Sequence, residues 1–126
     1  MIIDTKKLKD IAEVEFNDIV IDVILTDLNG LRIILVEGSF IDVWFSLKLE
    51  GRYSYHWDRK FIDGSIYRHD NAPHLKWKEI ATFPRHFHNG SEDIVDPSLI
   101  SDNPELALKE FLTFVSKHIK KELPEQ

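Results

Sequence analysis

The sequence predicts an α+β domain: a five- to six-stranded, mainly antiparallel sheet, a short N-terminal helix, and a long C-terminal helix packed on one sheet face. Three observations carry that expectation. Apolar residues alternate with period two through much of residues 16–69, Asn-Gly and Asp-Gly turn signals interrupt the alternation, and an apolar stripe of helical spacing follows Pro104. The 126 residues suit one domain, and no repeat, low-complexity tract or Gly/Ser linker divides 1–126.

Thr5 is the expected cap of a short helix reaching Ile11-Ala12, with Leu8, Ile11 and Ala12 turned inward. From Phe16 a strand pattern begins, with Ile19, Ile21, Val23 and Leu25 on one face. Asn29-Gly30 reads as its hairpin turn, since both residues tolerate positive φ, and Leu31 to Val36 returns. After Gly38, the residues Ile41, Val43, Phe45, Leu47 and Leu49 share a face, and Gly51 marks a turn. Arg52 to Trp57 puts Tyr53, Tyr55 and Trp57 on one side and Ser54 and His56 on the other. Asp63-Gly64 turns the chain into Ser65 to His69. Asn71-Ala72-Pro73 signals a loop, Glu79 to Phe83 an extended piece, and Asn89-Gly90-Ser91 a turn. The C-terminal helix is capped by Asn103, takes Pro104 at its first position, and carries a stripe of Leu108, Phe111, Leu112, Val115 and Ile119.

Composition sets limits. Cysteine is absent, which excludes disulfides and thiolate metal sites. The start lacks a signal-peptide pattern, and no apolar run approaches the roughly 18 residues of a membrane helix, so a cytoplasmic protein without a membrane partner is expected. The formal net charge is −6, but it is unevenly spread. Residues 52–88 carry seven Lys/Arg against four Asp/Glu and five of the six histidines, whereas residues 1–51 carry five Lys/Arg against ten Asp/Glu. A basic, titratable middle between acidic flanks suggests an anion site.

The chemistry-bearing residues fall in that middle. His86 and His88 are two apart. On a strand both rings would leave one face, with Cα atoms about 6.5–7 Å apart. Such a pair suits general acid–base catalysis, or metal binding with a third ligand from His74 or Asp70. Arg68 and Arg85 can fork onto a phosphate. Asp70 can orient an imidazole, although Asp70-Asn71 also suits plain turn chemistry. Trp77, between Lys76 and Lys78, is the aromatic best placed to stack on a base, while Tyr55 and Trp57 read as core. His56 is expected near the cluster; His118, at a helix end, is discounted.

Tyr67-Arg68-His69-Asp70-Asn71-Ala72-Pro73-His74 and Thr82-Phe83-Pro84-Arg85-His86-Phe87-His88, preceded by Tyr53-Ser54-Tyr55-His56-Trp57, resemble motifs of the TumE-type toxins of prokaryotic toxin–antitoxin pairs. The resembling words are Arg-aromatic-Asp-Asn-Ala-Pro-His and Thr-Phe-Pro-His-His-Lys-His, and the similarity spans about residues 52–95. His69 replaces the aromatic of the first word. Arg85 replaces the first histidine of the second, keeping a cation but removing a titratable base, and Phe87 replaces its lysine. The resemblance implies a toxin paired with a helix-turn-helix antitoxin.

Three function classes follow from these residues. The leading one is a metal-independent ribonuclease without cofactor. His86 or His88 would take a 2′-hydroxyl proton, His74 or His56 would protonate the leaving oxygen, and Asp70 would orient a ring. Arg68, Arg85, Asn71 and Trp77 would hold RNA. The second is a metal-dependent nuclease or hydrolase with a divalent metal such as zinc on His74, His86 and His88, with Asp70 nearby. The third is a non-catalytic binding module. A homo-oligomer is compatible with each.

Overall fold

The computed structural model describes residues 3–122. Seven strands form a single sheet in sequential order, each antiparallel to its neighbours: β1 Val20–Asp27, β2 Gly30–Leu35, β3 Phe40–Phe45, β4 Tyr53–Arg59, β5 Ser65–Asp70, β6 His86–Gly90 and β7 Val95–Pro97. Two α-helices, α1 (Thr5–Glu15) and α2 (Pro104–Lys121), complete the chain, with one 3₁₀ turn at Leu75–Trp77. The α+β class and both helices match the expectation, whereas the sheet has seven strands rather than five or six.

The added strand is β7. Only three residues long, it is too short to show a period, and it pairs with β6 through His86↔Pro97 and His88↔Val95. The strand β6 runs through Asn89-Gly90, and the turn expected there falls later, at Ser91–Asp93. Residues 79–83, expected to be extended, form turns and a bend instead, and the Phe83–Pro84 peptide is cis.

Other departures have local causes. Asp4, not Thr5, caps α1: its side chain accepts from the Lys7 N–H, and Thr5 is buried as the first helical residue. In β1 a bulge between Val20 and Asp22 leaves Ile21 without a partner. Val20 and Val23 therefore face the core, whereas Ile21 is exposed. The β1–β2 hairpin turns at Leu28-Asn29, and Gly30 already pairs with Asp27 without a positive φ. Strand β3 stops at Phe45. Ser46 Oγ accepts from the Lys48 and Leu49 N–H groups, bending the chain and leaving Leu47 and Leu49 exposed.

The core lies between one face of the sheet and the helices. Leu108, Phe111, Leu112, Val115 and Ile119 of α2 are all buried, as their spacing predicted, and Asn103 caps the helix by accepting from the Glu105 and Leu106 N–H groups. Phe111 packs against Tyr55 and His69, and Phe114 against Trp57, Tyr67 and Phe87. The helix thus covers the inner face of β4, β5 and β6. Arg59, at the end of β4, is 1 % exposed and gathers Glu37, Asp63 and Glu122, with its guanidinium 4.9 Å from the Trp57 ring.

Two stability outcomes are expected. Phe111→Ala should lower the unfolding free energy by about 3–5 kcal/mol, the cost of a large core cavity, and Leu47→Ala should change it little. Arg59→Ala, which removes a buried guanidinium from three partly exposed carboxylates, should cost about 1–3 kcal/mol. Urea unfolding of the three variants measures both.

Candidate functional site

Strict alternation in β4, β5 and β6 divides their side chains between two environments. Tyr53, Tyr55 and Trp57 of β4, Tyr67 and His69 of β5, and Phe87 of β6 turn toward α2. His56, Arg68, Asp70, His86 and His88 leave the opposite, outer face. Cross-strand register sets these five side by side: His56 opposes Arg68, Arg68 opposes His88, and Asp70 opposes His86. His86 and His88 do share a face, as their spacing predicted, with ring centroids 4.9 Å apart.

At the centre lies Asp70. One carboxylate oxygen is 3.0 Å from His86 Nε2 and accepts from the Ala72 N–H at 3.1 Å. The other is 3.8 Å from His88 Nε2 and accepts from Arg68 Nε at 2.9 Å. All three groups are buried, with Asp70 8 %, His86 2 % and His88 4 % exposed. The Nδ1 atoms of the two histidines meet the main-chain carbonyls of Pro84 and Glu92, each at 2.9 Å. Burial pushes the His88 pKa down, and Arg68 adds to the shift.

An open cavity of about 300 Å³ lies over this group. Trp77, on the 3₁₀ turn, stands over the histidines with its ring centroid 6.4 Å from His86 and 5.9 Å from His88. Lys76 Nζ lies 4.8 Å from the Trp77 ring. His74 caps the 3₁₀ turn, its Nδ1 accepting from the Lys76 N–H, and lines the cavity from an exposed position. Asp93 and Glu92 line the other side.

Several expected residues have other employment. Arg68 reaches the cavity but forks onto Glu92, at 2.9 and 2.7 Å, in addition to Asp70. Glu92 is therefore held well below the usual carboxylate range, by its hydrogen bonds from Arg68. Arg85 lies away from the group: it donates to the Ile100 carbonyl, is 3.8 Å from Asp102, and takes no part in lining the cavity. Asn71 ties two strand ends together, accepting from the Tyr53 N–H at 2.9 Å and donating to the Gly51 carbonyl at 2.7 Å. His56 sits beside Arg68, 3.3 Å from it, and its pKa is lowered by burial and then by that guanidinium.

The model of one protein family, described as "Toxin TumE", matches residues 6–119. The chain belongs to the TumE toxin family. No curated protein and no solved structure matches it. Within this TumE-family chain, His69 takes its departing motif position as an aromatic would. It stacks on Phe87 with centroids 4.2 Å apart and planes at 13°, and meets Phe111 edge-on. Its Nδ1 lies 2.8 Å from Ser98 Oγ, and burial lowers its pKa to about 4.

Among the described residues, the group of three able to hold a metal is Asp70, His86 and His88, with ligand atoms within 4.8 Å of one another. Of the two third ligands left open by the sequence, Asp70 and His74, it is Asp70 that lies beside His86 and His88. Glu92 carried no sequence signal, because its partner Arg68 is 24 residues away. The basic middle of the chain does not pool its charge: Arg59, Arg68 and Arg85 each serve carboxylates or carbonyls. Among the described residues, no helix is long and apolar enough to cross a membrane.

His69 yields a signed prediction. Its folded-state pKa lies below the ordinary value near 6.5, so the unfolded chain takes up a proton first as pH falls. Stability contributed by neutral His69 is fully present above about pH 6.5 and is lost between there and pH 4. Urea midpoints measured across that range should fall for the wild type and fall less steeply for His69→Phe, which keeps the ring stack.

Proposed function

We propose that this chain is the toxin of a toxin–antitoxin pair and acts by cleaving RNA in the cavity over Asp70, His86 and His88. One observation carries the reading: three buried ionisable side chains converge beneath a solvent-open cavity whose rim holds an aromatic plate and a cation. Burying charge costs several kcal/mol per ion unless it is closely paired. A folded chain of this size has cheaper ways to join β5 to β6, and buried ionisable groups gathered at a cavity wall are characteristic of reactive sites.

The rim suits a nucleotide. Trp77 offers a stacking face, sequence-tolerant because every base has a π-face, and Lys76 offers a charge to the backbone. His74, the exposed imidazole beside them, is the group positioned to hand a proton to a leaving oxygen. The 2′-oxygen bonds to phosphorus as its proton passes to the Asp70 carboxylate, which lines the cavity between His86 and His88, and the bond to the departing 5′-oxygen breaks as His74 protonates it. Direct abstraction of a 2′-hydroxyl proton by either histidine requires an Nε2 lone pair turned toward the cavity, and both Nε2 atoms are turned toward Asp70 instead. Arg68 can meet a phosphate by exchanging its Glu92 partner, while His56 supports Arg68 from β4. The acidic net charge of −6 makes a basic partner favourable. A small helix-turn-helix antitoxin encoded beside this chain fits that requirement.

The test is cleavage of end-labelled RNA by the purified full chain. Wild-type protein should cut, His86→Ala and His88→Ala should lose at least about 100-fold of the rate, and Trp77→Ala should chiefly raise KM. Intact RNA after incubation with folded wild-type protein sinks the reading, as does undiminished cutting by both histidine variants.

A further inference from the structure

We propose that Asp70, His86 and His88 bind one divalent transition-metal ion, with zinc the best-suited species. The reasoning begins with protons. Each imidazole directs Nδ1 at a main-chain carbonyl, Pro84 for His86 and Glu92 for His88. A carbonyl only accepts, so in both rings Nδ1 carries hydrogen and, in the neutral form, Nε2 carries the lone pair. Those two Nε2 atoms are aimed at the two oxygens of one carboxylate, at 3.0 and 3.8 Å.

Lone pairs and an anion brought to one buried point repel unless a positive centre stands among them. A single proton can bridge one imidazole to Asp70, and the second lone pair then still faces the carboxylate. A divalent ion satisfies all three groups together. Arg68 offsets part of the Asp70 charge through Nε, but its other nitrogens go to Glu92 and His56 and not to the Nε2 lone pairs of His86 and His88.

The surroundings match those of a metal centre. Nδ1–H donation to a carbonyl is the arrangement that orients metal-bound histidines and raises the basicity of Nε2. The carboxylate is likewise steered by the Ala72 N–H and Arg68. His86 and His88 leave one strand and Asp70 leaves its neighbour directly opposite His86, so the backbone fixes all three positions. Their ligand atoms lie within 4.8 Å of one another, and metal–ligand bonds of about 2.0–2.2 Å would draw them to roughly 3.3 Å. Two imidazoles and one carboxylate favour zinc and its neighbours over magnesium or calcium, which prefer oxygen donors. Three protein ligands leave a position open, and the cavity lined by His74 and Trp77 lies over it. That position would take a water molecule or a phosphate oxygen.

The site stands whether or not the chain cuts RNA, and its test does not use RNA. Full-length protein stripped with chelator is titrated with zinc alone by calorimetry, and its melting is followed with and without the ion. Wild type should bind one zinc per chain and melt at higher temperature with it. His88→Ala and Asp70→Asn should weaken binding on the order of 100-fold and abolish the thermal shift, while His74→Ala should bind as wild type does. X-ray absorption of the zinc-loaded wild type, which depends on no variant folding, should show two imidazoles in a first shell of nitrogen and oxygen.

Absence of stoichiometric binding, wild-type affinity retained in Asp70→Asn and His88→Ala, or a shell without imidazole overturns the proposal. Zinc bound without RNA cleavage removes the ribonuclease reading and leaves the metal site standing. RNA cleavage by a chain that binds no zinc does the reverse.

Discussion

Burial of one sheet face beneath α2 is the constraint from which the rest of the molecule follows. A strand has only two faces. Once Tyr55, Trp57, Tyr67 and Phe87 are committed to Phe111 and Phe114, every intervening residue of β4, β5 and β6 must point the other way. His56, Arg68, Asp70, His86 and His88 are those intervening residues. Their assembly on one surface needs no folding information beyond the hydrophobic pattern and the register of three adjacent antiparallel strands. A one-residue slip in any of them would bury the polar set and expose the aromatic one, so core packing and site geometry are specified together.

Polar burial on the outer face is a different kind of constraint, because it opposes folding unless it is compensated. Asp70 is the point where that compensation is concentrated. It receives the Ala72 N–H and the Arg68 guanidinium, and it sits at the end of β5 where the chain leaves the sheet for the Asn71-Ala72-Pro73 loop. Asn71 then secures that exit by clamping both Tyr53 and Gly51. Neighbouring residues of one motif thus divide the labour. Asp70 organises the site, Asn71 fastens the loop, and His74 caps the short turn that presents Trp77.

That division explains what was legible from the residues alone. Period two in β3 and β4 predicted the inward aromatics and the outward His56, and the same rule placed His86 and His88 together. The stripe and cap of α2 were equally readable. Long-range pairing left no trace in local pattern. Arg68 with Glu92, Arg59 with Glu122 and Arg85 with Ile100 join residues 24, 63 and 15 apart. Charge counted along residues 52–88 therefore overstated the cation available to a ligand. Ile21 failed for a related reason: a bulge changes the face of one residue while leaving the apolar pattern on paper untouched.

The departures at residues 69, 85 and 87 acquire physical meaning from the same two-faced geometry. All three alternate with Asp70, His86 and His88, and their contacts lie on the helix side of the sheet. His69 stacks on Phe87, and Arg85 reaches the carbonyl of Ile100 in the segment that leads into α2. Phe87 packs on Tyr67 and Phe114 between the two histidines of the site. Changes at these positions therefore act on how β5 and β6 are seated against the helix rather than on which groups face the cavity. A histidine whose pKa falls to about 4 stays neutral through the physiological range, as a packed ring must. The loss of a titratable group at Arg85 removes nothing from the outer face, where Asp70, His86 and His88 remain to meet a ligand.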